Sequence, residues 1–173
     1  MTTTLTPDLV DGQPVLLASE AVSAEADWEH AADYSDYVEL VLELYNVRGN
    51  TADVALNLSD DSGASYLTDY IRSLAQGNGS GLTGYGGGVG SIQCGPQPVS
   101  NGCYHVTNRI SAHNINGLST NIRNRYNGER SNGNMQSITA GYNSNADTGI
   151  INGMKVSVAT GTFTADIRLW GVK

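Results

Sequence analysis

Residues 159–173 read ATGTFTADIRLWGVK. Phe163, Ala165, Ile167 and Leu169 alternate with Thr164, Asp166 and Arg168. Successive side chains of a β-strand point to opposite faces, so the four apolar ones share a face and a half-buried strand is expected. Only Trp170 to Lys173 follow it, at a place where chains commonly fray. Such a strand is expected to be central rather than an edge, sealed against the strand that holds Leu40 and Leu42, with Trp170 and Lys173 near a subunit contact.

Working outward, residues 37–47 (YVELVLELYNV) form the strongest further strand. Val38, Leu40, Leu42 and Leu44 point one way, and Glu39, Val41, Glu43 and Tyr45 the other. The RGNT turn leads into DVALNLSDD, where Val54, Leu56 and Leu58 alternate again, which is the pattern of a β-hairpin. Residues 15–22 (VLLASEAV) read as a first strand. The acidic connection SAEADWEHAADYSD that follows has room for one helical turn, with Trp28 as a core or interface anchor. In SYLTDYIRSLA, Tyr66, Leu67, Tyr70, Ile71 and Leu74 fit a helical stripe, but the β-rich surroundings favour a strand. Residues 77–102 read as one long Gly-rich loop. YHVTNRIS, LSTNIRNRYN, MQSITAGY and GMKVSVAT are short strands between Asn- and Gly-rich turns.

The count is eight or nine strands at the spacing of a sandwich. The fold class expected is all-β, a two-sheet antiparallel sandwich of jelly-roll type. Residues 1–14, with Pro7 and Pro14 and no hydrophobic period, form an extended N-terminal arm, and 15–173 a single domain. A chain of 173 residues is large enough to bury about two-thirds of its unfolded surface. Abundant Gly, at 21 residues, and scarce Pro, at 4, suit many short strands and turns.

Net charge is −8, which argues against a nucleic-acid partner, because phosphate binding needs a concentrated basic face. No apolar run reaches the ~18 residues of a membrane span, and the start lacks the basic-then-apolar order of a signal peptide. A soluble protein made in a cytoplasm is expected. The charge is unevenly spread. Residues 1–80 hold fourteen Asp or Glu against Arg48 and Arg72, and residues 81–173 hold three acidic side chains against five Arg and two Lys. Opposite halves can pair within one domain, or an acidic face can meet a basic face on a neighbouring copy.

Candidate chemistry is sparse. The match of GSGLTG to G-x-G-x-x-G has no helix N-terminus to hold a phosphate. Cys94 and Cys103, followed by His105 and His113, admit three readings: a disulfide closing the loop, a metal site with unusually wide Cys spacing, or two unpaired thiols. The acidic SDDSGAS turn supplies few of the six to eight oxygens that calcium needs. The residues contain no G-x-S-x-G elbow and no nucleophile signature beside a histidine, so no enzyme, catalytic residue, metal or cofactor is expected. Arg123, Arg125, Tyr126 and Arg130, with Asn121, Asn127, Asn132 and Asn134, instead offer a polar surface suited to an acidic neighbour, since Arg favours interfaces.

VLLASEAVSA, the pair YVELVLELYNVRGNTADVALNLSDDSGASY, the Gly-rich middle and the final GTFTADIRLWGVK resemble short all-β virion proteins of tailed bacteriophages. The resemblance runs over residues 15–173. Val47, Thr51 and Val54 match a V-x-x-x-T-x-x-V turn, Ser59 to Tyr66 a Gly-containing loop, and Gly161, Thr162, Phe163, Arg168, Leu169, Trp170 and Gly171 the closing strand. These are fold-determining positions. The Cys94/Cys103 loop and the acidic first half depart from that pattern. The resemblance implies a jelly-roll module, often a homotrimer, that decorates or cements the capsid by binding the major capsid protein. The alternative is a tail-fibre or receptor-binding module contacting other tail proteins or host-surface glycans. Trp28, Arg123, Arg125, Tyr126, Arg130 and Trp170 are the candidate subunit or capsid contacts, with the virion as location.

Overall fold

The computed structural model describes residues 12–49, 53–77, 82–94, 104–111, 113–114, 119–129, 135–144 and 149–173. In chain order the strands are β1 (Pro14–Glu25), β2 (Asp27–Ala31), β3 (Glu39–Gly49), β4 (Val54–Ser59), β5 (Tyr70–Gly77), β6 (Leu82–Val89), β7 (Ile92–Gln93), β8 (Tyr104–Ser111), β9 (Asn121–Glu129), β10 (Met135–Ser144), β11 (Gly153–Val158) and β12 (Phe163–Val172). No helix occurs among the described residues. The strands make two antiparallel sheets: a long one in the order β1-β12-β3-β8-β9-β10-β5-β6, and a short one in the order β2-β11-β4-β7. The protein is an all-β sandwich.

β12 sits between β1 and β3, and Leu169 pairs with Leu42 and Gly171 with Leu40, as expected from alternation. Phe163, Ala165, Ile167 and Leu169 are buried, each at 1% exposure or less. Across the core, Leu40, Leu42 and Leu44 of β3 meet a layer that includes Trp28, Leu56, Leu58, Met154 and Val156 from the short sheet. Gly171 allows a close approach: a Cβ there would collide with the ring of Tyr37, which lies under the Lys173 ammonium at 5.8 Å.

Several expectations change. β3 and β4 are not a hairpin, because β3 belongs to the long sheet and β4 to the short one. Alternation reports only that each strand buries one face, and two such faces satisfy each other as well across a core as beside one another. The acidic connection holds strand β2 and not a helical turn, since Trp28 is buried between exposed Asp27 and Glu29, with Val156 and Lys155 of β11 opposite Trp28 and Glu29. β5 is a strand, and Tyr70 and Ile71 fall on opposite faces, buried and 50% exposed. The Gly-rich stretch contains β6, paired along its length with β5, and β7. Glycines weaken a strand without preventing its backbone ladder, and β6 lies at a sheet edge where packing asks little of its side chains. The strands therefore number twelve among the described residues. β1 starts at Pro14, within the stretch read as an arm, and the Gly12 amide donates to the Lys173 carbonyl at 3.2 Å. Residues 1–11 lie outside the described residues.

A bulge in β3 explains one break in periodicity. Leu44 and Val47 are both buried although three apart, because the register with β8 shifts between them and Asn46 takes φ +53. The left-handed residue absorbs the extra position, and its side-chain Nδ2 donates to the Asp166 carboxylate at 2.8 Å. One polar ladder crosses the core side of the sheet: Asn124 Nδ2 donates to Asn108 Oδ1 at 2.7 Å, and Asn108 Nδ2 to Cys94 Sγ at 3.5 Å. All three residues are essentially inaccessible.

Replacing Gly171 by Ala forces Tyr37 to move and should cost about 1–3 kcal/mol, lowering the thermal midpoint by about 2–4 °C per kcal/mol for a chain of this size. Leu169→Ala should cost about 2–5 kcal/mol through the cavity it leaves. Tyr37→Ala combined with Gly171→Ala should destabilise by less than the sum of the two, since both act on one contact. Urea denaturation of the three variants and the double variant checks these values; additive Gly171 and Tyr37 effects would show that the ring does not constrain this position.

Candidate functional site

The outer face of the long sheet carries the side chains that alternate with the core. Antiparallel register arranges them in rows across strands. One row runs Trp170, Val41, Arg109, Arg123 and Gly141, and the next Arg168, Glu43, Thr107, Arg125 and Thr139. On one flank, Val41, Trp170, Glu39, Glu43 and Arg109 line a groove of about 390 Å³ whose lip is formed by Gly12 and Pro14. The Trp170 indole Nε1–H donates to Glu43 at 2.9 Å. Arg109 Nη1 contacts Glu39 Oε2 at 2.8 Å, with side chains 57% and 26% exposed. An ion pair this open to water contributes at most about 1 kcal/mol.

Farther along β3 and β8, the Tyr45 ring stacks on His105 with centroids 4.3 Å apart, and the Arg168 guanidinium lies 5.3 Å from the Tyr45 centroid. Arg123 and Arg125 project from β9 into solvent and, among the described residues, have no carboxylate partner. Their cross-strand neighbours are Arg109 and Gly141 for Arg123, and Thr107 and Thr139 for Arg125. Like charges directly opposite on adjacent strands destabilise a sheet. The face thus carries Glu39, Glu43 and Trp170 on β3 and β12, with Arg168 beside Glu43, and a basic flank on β8 and β9.

The structure sorts the sequence candidates. Arg123, Arg125 and Trp170 share this face. Tyr126 does not, because alternation turns it inward, 2% exposed and edge-on to Tyr104. Trp28 is a core anchor at 5% exposure, its indole donating to Glu20 at 2.8 Å. Both are buried within the chain and present no contact surface. Arg130 and Cys103 lie outside the described residues. Cys94 is a free, fully buried thiol whose pKa burial pushes up to about 12, so it is a poor nucleophile. His105 points to the outer face while Cys94 lies in the core, and among the described residues no three His, Cys, Asp or Glu side chains gather as a metal site. Glu39, Val41 and Glu43 were readable as the second face of β3; that they would meet Trp170 and Arg109 required the strand order.

Opposite-sign halves do pair inside the chain. Besides Arg109–Glu39, Lys155 reaches Asp27 at 2.9 Å and Glu29 at 2.8 Å on the outside of the short sheet, and these partners hold the Lys155 ammonium above its usual range. No helix of the described residues is long and apolar enough to cross a membrane. Comparison with protein-family models, with curated proteins and with solved structures finds no match for this chain.

Two histidines meet at Tyr34, away from this face. His30 Nδ1 lies 2.6 Å from the Tyr34 hydroxyl, and buried His113 Nε2 lies 3.4 Å from the Tyr34 carbonyl. Burial lowers the pKa of both rings from about 6.5, and for His113 it outweighs hydrogen bonds that favour the charged form. Folding therefore releases protons from these rings, and the unfolded chain binds more of them below its ordinary histidine pKa. Stability should be at full strength above pH ~6.5 and fall as pH drops from there through the folded-state values. Urea midpoints across this window, with ring resonances followed by NMR, test the sign; a midpoint that rises on acidification would contradict it.

Proposed function

We propose that this protein is a non-enzymatic structural protein of a tailed-phage virion, of the capsid decoration type, and that it works through the outer face of its long sheet. The virion setting rests on the resemblance carried by Val47, Thr51, Val54 and the Gly161–Gly171 strand. The mode of action rests on one observation: Arg123 stands opposite Arg109 across the β8–β9 ladder. Such a pair costs an isolated sheet stability, and a carboxylate-bearing partner seated on the face would turn the cost into attraction. Because many copies act together on a lattice, modest affinity at each is enough to stabilise the particle.

Particles assembled without the protein should form but break at lower temperature, and the protein should be present in proportion to the capsid protein. A handful of copies per particle would favour the fibre reading instead. Arg123→Glu should raise the stability of the dilute, monomeric chain by about 0.2–1 kcal/mol, by replacing a like-charge pair with an opposite one. Arg123→Glu combined with Arg125→Glu should also abolish retention on particles. Full retention of this folded variant would overturn the role given to the face.

A further inference from the structure

The two flanks of the outer face are complementary to each other, and the geometry points to a second copy of this chain as the partner: two long sheets packed face to face about a two-fold axis running along β8. This inference rests on the reading of the outer face as a contact surface and names its occupant. In the order β12-β3-β8-β9-β10, β3 and β9 lie equally far from β8 on opposite sides. A two-fold along β8 therefore lays β9 of each copy over β3 of the other.

The rows then match residue by residue. Glu43 and Arg125 flank Thr107 in one row, so each Glu43 faces an Arg125 of the second copy. Val41 and Arg123 flank Arg109 in the next row, so Arg123, which has no carboxylate partner among the described residues, enters the groove between Trp170, Glu39 and Glu43. There a guanidinium finds an aromatic ring and carboxylates together. Gly141 falls opposite Trp170 and leaves room there for the indole. Ile71, 50% exposed, falls opposite Pro14 and one row from Leu16, 48% exposed. Two of the exposed large hydrophobic residues thus come within one row of each other at both margins. Like charges approach where Arg109 nears the axis and Arg123, and where Arg125 comes beside Arg168, the neighbour of Glu43; each Arg109 is already paired with its own Glu39 at 2.8 Å, and each Arg168 lies against its own Tyr45 ring.

An isologous contact of this kind is self-complementary and closed, so it ends at two copies. Seven of the eight strands overlap about this axis, β6 having no counterpart; at about 4.8 Å per strand and about 7 Å for each of three rows, the shared face measures roughly 700 Å². That is about what one partner contributes to an interface of standard size.

Sedimentation velocity of the wild-type chain should show a dimer. Glu43→Arg and Arg125→Glu should each weaken it by about tenfold or more, and the two together should restore it, because the charges are exchanged and not removed. Thr107→Cys, on the axis, should be joined to its counterpart by a short bismaleimide cross-linker, because facing sheets lie about 10 Å apart, beyond the reach of a direct disulfide. A monomer, a trimer, or a dimer indifferent to both single reversals would overturn the inference. Retention on particles separates this from the broader reading. If the Arg123→Glu and Arg125→Glu variant is lost from particles while the wild-type chain is monomeric and Thr107→Cys does not cross-link, the face meets another virion protein and the two-fold is wrong. If that variant is fully retained, the role of the face itself fails.

Discussion

Burial of one face of β12 is the constraint on which the rest of the structure depends. Phe163, Ala165, Ile167 and Leu169 can leave water only if β1 and β3 flank the strand and the short sheet covers it. That requirement joins the beginning and end of the described chain in one sheet. It also brings Tyr37 onto Gly171, where a missing side chain becomes a packing site. The hydrophobic stabilisation of such a core is non-directional, but the strand ladder makes its effect directional: with the inner face fixed, the outer face has no freedom left in what it displays.

The outer face is consequently a by-product of core register and still has a definite chemistry. Glu39 and Arg109 lie 70 residues apart in sequence yet form an ion pair, because β3 and β8 are adjacent. Similarly, Lys155 sits among first-half carboxylates on the short sheet. Part of the charge asymmetry between the two halves is resolved inside the chain in this way. Arg123 and Arg125 fall on strand positions whose neighbours are Arg, Gly and Thr, and this is where the surface is electrostatically unbalanced.

Much of the fold was legible in the sequence for a simple reason: period-two alternation survives wherever a sheet has one wet face. β12, β3 and their pairing followed from it, and Arg123, Arg125 and Trp170 were recognisable as surface candidates. Alternation says nothing about which sheet a strand joins, so β3 and β4 looked like a hairpin. β2 and β6 were missed because each runs against composition, one acidic and one Gly-rich, and a backbone ladder can override both. Tyr126 was grouped with Arg125 by proximity in sequence, when a spacing of one residue means the opposite face. The bulge at Asn46 was invisible because a single left-handed residue leaves no periodic trace. The groove at Trp170 needed four strands in their spatial order, information that no local pattern contains.

The Asn108–Asn124 ladder has a consequence of a different kind. β8 and β9 are adjacent, and an apolar face alone discriminates poorly between the native pairing and one displaced by two residues, since both keep hydrophobic side chains inward. In the displaced pairing Asn108 would face Ile122 or Tyr126 and Asn124 would face Val106 or Ile110, so the carboxamides would lose each other in a dry interior. That penalty is of the order of 1–3 kcal/mol for each buried group left unsatisfied. The two asparagines act as a proofreading device for strand alignment: they add little to the stability of the correct structure but make the near-miss costly, and so preserve the order in which charges appear on the side of the sheet that faces water.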